Sequence, residues 1–292
     1  MRNKVLLGLV YLEGHDFPTY YSRGAKKRAE RLSLIAETSV DFIREFFEAD
    51  VQNILLVLNE EDMAKRIDHP YGLIHGIDNY LWYPVYEEDN PVYQALMPYY
   101  ENSPEHLRRK LDEVLPDSDS PFLKACLIWW ETYMVHELFH NYSKEDGVRI
   151  GLSWFDELFG DYINYAFLRR YENKYPTERK VSEVYFDLLY QGGRSLVRYT
   201  SLEDFEELYL GVGTANYCWY HGWFNVGVFE LYERFGESFI EKVNALYKSE
   251  TGFDSTGDSL AARLDEPCNG FLDWYIEWKQ HKLLKYRVLD ET

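Results

Sequence analysis

His136-Glu137-Leu138-Phe139-His140 reads H-E-x-x-H and sits inside a strongly apolar stretch, Ile128 to Tyr142. On a helix, residues four apart lie one above the other on the same face. The spacing therefore lets both imidazoles reach a single metal ion. Glu137, next to the first His, is close enough to touch a water on that metal. Two neutral nitrogen ligands and a carboxylate base are what zinc-assisted hydrolysis requires. The competing reading is a buried helix with two hydrogen-bonded histidines, so the weight falls on the residues downstream.

A zinc held by two His takes a third ligand, for which Asp or Glu is suited, and keeps a fourth position for water. Downstream runs Ser153-Trp154-Phe155-Asp156-Glu157-Leu158-Phe159-Gly160-Asp161-Tyr162. Ser153 is expected as the N-cap, with Asp156 as its capping-box partner, of a helix over Trp154–Tyr171. Glu157 and Asp161 are four apart and share one face of it. Glu157 is the candidate third ligand. Asp161 is the candidate acceptor for the free N–H of a ligand His, fixing its tautomer and orientation. An exposed acidic helix face would show the same spacing.

The H-E-x-x-H motif, followed 17 residues after its last His by E-x-x-x-D within Trp154-Phe155-Asp156-Glu157 … Asp161-Tyr162, resembles the gluzincin metallopeptidases. These are the thermolysin-like and aminopeptidase-like enzymes of the peptidase MA-like fold. The resemblance covers about Val51 to Leu246, and its specific part is confined to His136–Tyr162. It implies Zn2+ bound by His136, His140 and Glu157, Glu137 as general base, and Asp161 behind a ligand. It also implies an oxyanion-stabilising Tyr or His on a later helix. Asn216-Tyr217-Cys218-Trp219-Tyr220-His221-Gly222 offers three candidates, Tyr217, Tyr220 and His221, each equally readable as an aromatic core residue with a satisfied polar tip. The exopeptidase signature G-x-M-E-N of the aminopeptidase branch has only a distant echo in Gly76-Ile77-Asp78-Asn79-Tyr80.

The chain has 292 residues, 46% hydrophobic and 17% aromatic, enough for one large domain or two lobes around a cleft. Its net charge of −19 argues against nucleic acid or an anionic membrane as partner. The three cysteines, Cys126, Cys218 and Cys268, form no disulfide framework and no cysteine zinc motif, which fits a reducing compartment, the cytoplasm. No segment reaches the roughly 18 apolar residues of a membrane span. His15, His69, His75, His106 and His281 lack ligand spacing and read as surface or satisfied histidines. Trp129, Trp130, Trp219 and Trp223 read as core, with some available to line a hydrophobic pocket.

Val5–Leu12 reads as a first strand rather than a signal peptide, and His15–Gly24 as a loop. A helix is expected over Ala25–Phe47, then a strand over Asn53–Leu58 and a short helix over Glu60–Ile67. Strand-like pieces lie at Leu73–Ile77 and Asn79–Val85, one of which the resemblance implies as an edge beside the cleft. Within Glu87–Asp119 one helix, Pro104–Val114, is expected. Ser120 and Pro121 then start the active-site helix, which runs to about Tyr142, and beyond Trp154 the chain reads almost wholly helical. The expected fold is α+β and thermolysin-like. An α/β lobe, 1–150, ends in the H-E-x-x-H helix, and a helical lobe, 151–292, supplies the third ligand. The expected function is zinc-dependent hydrolysis of peptide or protein substrates. The alternative is a catalytically silent relative that binds peptide or protein.

Overall fold

The computed structural model describes residues 2–67, 72–85, 90–249 and 256–281. His69 therefore lies outside the described residues, as does the start of the expected Glu87–Asp119 segment, 87–89. Five short strands form one mixed sheet: β1 (Val10–Tyr11), β2 (Thr19–Tyr21), β3 (Ile54–Leu58), β4 (His75–Ile77) and β5 (Tyr80–Pro84), in the order β1-β2-β3-β5-β4. The central pairs β2–β3 and β3–β5 are parallel, and both edges are antiparallel.

The N-terminal run differs from the single strand expected at Val5–Leu12. It begins as a helical turn, α1 (Arg2–Val5), and bends at Leu6–Leu9, where Gly8 has φ +84°. Only Val10–Tyr11 pairs, with β2, a strand hidden in the expected loop. The bend lets Val5, Leu6 and Leu9 pack on a small cluster of Leu56, Leu58, Met63 and Trp82. Strand alternation sorts the sheet's two faces. Leu55, Val57, Leu81 and Tyr83 point into the main core, whereas Leu56, Leu58 and Trp82 point the other way.

Between β2 and β3 the chain crosses over through α2 (Lys26–Ile43), whose buried Ala29, Leu32, Ala36, Ser39 and Ile43 recur at helical spacing. After β3 comes α3 (Glu60–Ala64), capped by the Asn59 side chain, which accepts from the Asp62 amide. A two-residue turn, Asp78-Asn79, joins β4 to β5.

The segment after β5 holds two helices rather than one, α4 (Pro91–Asn102) and α5 (Glu105–Val114). In α4 the Pro98 that argues against a helix is accommodated, and Asn90 caps a start that carries Pro91 in its first turn.

The expected continuous helix to Tyr142 is two helices, α6 (Pro121–Thr132) and α7 (Met134–Glu145), meeting at Tyr133. The Thr132 hydroxyl donates back to the Ile128 and Trp129 carbonyls, a bond that bends helices. Next, α8 (Ser153–Arg170) is buried almost all round, including Trp154, Phe155, Leu158, Phe159 and Tyr162. A helix with apolar residues on every side belongs inside a protein. Its N-cap position is Leu152, not Ser153, whose hydroxyl instead bonds Glu206.

Around α8 pack α7, α9 (Pro176–Gly193), α10 (Leu202–Leu208) and α11 (Thr214–Phe235). A 3-10 turn, Tyr209–Val212, joins α10 to α11. The remaining helices are α12 (Ser238–Ser249), α13 (Gly257–Asp265) and α14 (Phe271–Lys279). The main buried cluster runs from Leu12 to Trp278, so residues from both expected lobes share it.

Candidate metal centre

The H-E-x-x-H face of α7 meets the Glu157 face of α8, and the approach is close. A Cβ on Gly160 would lie 2.7 Å from Nδ1 and Cε1 of His136, so only glycine leaves room for that ring. On its other side His136 stacks on Tyr133, centroids 4.1 Å apart and planes at 20°. The imidazole is thus held between the kink residue and the neighbouring helix.

Three donor atoms converge there. His140 Nε2 is 2.9 Å from His136 Nε2, His136 Nε2 is 3.1 Å from Glu157 Oε2, and His140 Nε2 is 4.0 Å from that same oxygen. Metal–ligand bonds of about 2.0–2.1 Å in a tetrahedron place ligand atoms roughly 3.3 Å apart. The three separations bracket that value. His136, His140 and Glu157 therefore form a largely buried group that could hold a metal ion. Two imidazole nitrogens and one carboxylate oxygen suit zinc, and no fourth protein ligand belongs to the group among the described residues.

A second set of contacts orients these side chains. Asp161, wholly buried, lies 3.1 Å through Oδ1 from His136 Nδ1 and 2.9 Å through Oδ2 from His221 Nδ1. Tyr133 donates to Asp161 Oδ1 at 2.9 Å and lies 2.8 Å from His221 Nδ1. His140 Nδ1 is 3.2 Å from Asp156 Oδ2. Asp156, expected as a helix-capping residue, instead faces His140. With each Nδ1 facing a carboxylate, each Nε2 is left to point at the centre.

Burial and these pairs set the electrostatics. Burial alone would depress His136, but its bonds and charge interactions with Asp161 and Glu157 win and raise it to about 10. His140 is raised in the same way, Asp156 outweighing burial. Burial would push Glu157 and Asp161 up, yet the facing imidazoles hold both below the ordinary carboxylate range. Two carboxylates that stay ionised when buried make a centre suited to positive charge. Glu137 behaves oppositely. Burial raises it, against the pull of His136 and His140 and a hydrogen bond from the Gly76 amide. A carboxylate moved up from its usual range is a better proton acceptor at neutral pH.

A cavity of about 300 Å3 opens onto these groups. The β4 edge with its approach, Leu73 to Ile77, forms one wall. Trp129, Trp130 and Tyr133 form another, and Tyr209, Leu210 and Tyr217 a third. Glu137, His140, Glu157 and His221 also line it. The sheet edge expected beside the cleft is thus the Leu73–Ile77 piece, whereas β5 lies inside the sheet.

The three later candidates separate. Tyr220 does not line the cavity; its hydroxyl donates to the Ser201 carbonyl at 2.8 Å and its ring packs on Phe205. Tyr217 lines the cavity and donates to Glu157 Oε2 at 3.1 Å. His221 is 1% exposed, and its Nε2 has no hydrogen-bond partner among the described residues, lying 3.6 Å from Glu157 Oε2.

Two contributors are not singled out by the sequence motifs. Tyr133 precedes His136 by three residues, so helical spacing alone puts it on the ligand face. Tyr209 carries no such signal. Its hydroxyl donates to Glu157 Oε1 at 2.5 Å from a backbone at φ +46°, ψ −117°. A non-glycine residue held there costs about 1–3 kcal/mol.

No protein-family model, no curated protein and no solved structure matches this chain.

Proposed function

We propose that the protein is a zinc-dependent peptidase of the gluzincin type, with His136, His140 and Glu157 holding the metal. The observation that carries this reading is the Glu137 carboxyl facing the same cavity as a three-donor group whose fourth side is open. A purely structural zinc is ringed by four protein ligands and needs no neighbouring base.

Zinc bound there supplies a Lewis acid and a more acidic water. The residues do the rest. Glu137, steadied by the Gly76 amide, takes the proton from the attacking water and delivers it to the departing amine. Asp161 fixes His136 and His221 together, so ligand and oxyanion donor are set by one carboxylate. With Nδ1 facing Asp161, His221 turns its unpartnered Nε2 towards the cavity, on the side where negative charge develops on the carbonyl oxygen. The sheet edge and the Trp129–Trp130 wall suit an extended peptide with an apolar side chain near the scissile bond. Free, buried Cys126, Cys218 and Cys268 are consistent with work in the cytoplasm.

The test is hydrolysis of an unstructured peptide library, read by mass spectrometry, with and without chelator. Glu137→Gln is expected to bind one zinc per chain yet lose at least a hundredfold in turnover. Unchanged turnover in that variant would remove Glu137 as the base. Peptide binding without cleavage by the zinc-loaded native protein would favour a silent binding module.

A further inference from the structure

Glu157 meets two phenols, and they divide its oxygens. Oε2 is the atom in the donor triangle and accepts from Tyr217 at 3.1 Å. Oε1 lies outside the triangle and accepts from Tyr209 at 2.5 Å. Tyr209 keeps 36% of its surface exposed while its hydroxyl donates to that carboxylate. Its ring is braced edge-on by Phe205 and Tyr217, 5.6 and 6.1 Å between centroids. The backbone beneath is in the unfavourable φ +46° conformation, at the junction of α10 and the 3-10 turn. The chain therefore bends against its own preference at the residue whose hydroxyl reaches the spare oxygen.

A buried carboxylate beside zinc has a choice. With both oxygens free it can bind through both, which raises the coordination number and crowds the position a water or carbonyl needs. With one oxygen tied to a donor it binds through the other alone. We propose that Tyr209 is a positioning residue. It holds Oε1 of Glu157 so that only Oε2 is offered to the metal, keeping the centre four-coordinate with one position open. This rests on the zinc reading and adds to it a residue on the loop between two helices, far in sequence from the motif.

Cobalt(II) substitution tests it without relying on activity, because four-coordinate cobalt absorbs several-fold more strongly in the visible than five-coordinate cobalt. The native chain, Tyr209→Phe and Tyr217→Phe are loaded with cobalt(II) and titrated in parallel, with circular dichroism to show that each is folded. The native protein and Tyr217→Phe, in which Oε1 is still held, are expected to give the intense four-coordinate band. Tyr209→Phe is expected to lose most of that intensity and to shift metal affinity about tenfold. An identical band and affinity in Tyr209→Phe would overturn the role of Tyr209 and leave the metal centre standing. A native chain that binds no cobalt or zinc would overturn both. Should Tyr209→Phe not fold, Tyr209→Gly relieves the backbone while removing the phenol, and the same loss of band intensity is expected.

Discussion

Glu157 is the residue on which the centre turns, because it brings the only negative charge to the donor triangle. Without it two imidazoles would face each other at 2.9 Å with nothing between them to bind. Glu157→Ala is therefore predicted to lose zinc. Full zinc occupancy in that variant, measured by elemental mass spectrometry on untagged protein, would move the third ligand elsewhere. Asp161 is the complementary case. It lies outside the donor triangle yet contacts two histidines, one within the triangle and one facing the cavity. Glu157 and Asp161 are both legible from their spacing of four. The partner of Asp161 at His221 is not, because it lies sixty residues away on another helix.

The contact of α7 with α8 makes the centre possible, and Gly160 sets how close it is. Gly160→Ala puts a methyl into the His136 ring, which Tyr133 prevents from retreating. The expected cost is about 1–3 kcal/mol of stability and a fall of about 10- to 100-fold in zinc affinity. Thermal unfolding and a zinc titration check the two. A stable variant with native affinity would show that the ring can yield. On the far side, α2 is clamped to α6 by Glu131, buried and paired with both Arg28 and Arg31. Glu131→Ala removes the buried carboxylate that both arginines face and is predicted to cost about 1–3 kcal/mol, read from urea unfolding. A loss under about 0.5 kcal/mol would mean that this pairing does not hold α2 to α6. Neither interaction can be placed from sequence, since Arg28 and Glu131 are separated by 103 residues.

Among the described residues the main buried cluster, running from Leu12 to Trp278, ties the donor triangle to the far end of the described chain. There His281 stacks on Trp223, centroids 4.4 Å apart, and its Nδ1 lies 2.7 Å from the Tyr190 hydroxyl. Burial, with Arg194 nearby, lowers His281 from 6.5 to about 4. The unfolded chain therefore takes up this proton first as pH falls. The stability tied to neutral His281 is present above about 6.5 and is lost as pH drops from there towards 4. Melting temperature followed from about pH 7.5 to about pH 4.5 should fall more steeply for the native chain than for His281→Phe. Parallel curves would show that the ring titrates freely. By spacing alone His281 reads as a surface or satisfied histidine, and the aromatic stack that buries it joins α9, α11 and α14.

Local and periodic features were legible in residue types and spacing. The histidines and Glu137 fall on one apolar helix, Glu157 and Asp161 on one face of the next, β3 and α2 lie near their expected bounds, and the described chain beyond Trp154 is mostly helical. Such features depend on neighbours within a turn or two, which residue types and spacing encode directly. The rest came from packing. It split the H-E-x-x-H helix at Tyr133, paired the hidden strand β2, turned Asp156 from cap to partner of His140, set His221 apart from Tyr220, and brought Tyr209 to Oε1 of Glu157. Each of these depends on which distant surface supplies a partner for a buried polar group or an unpaired strand. That is decided by packing across the core, which no local pattern records.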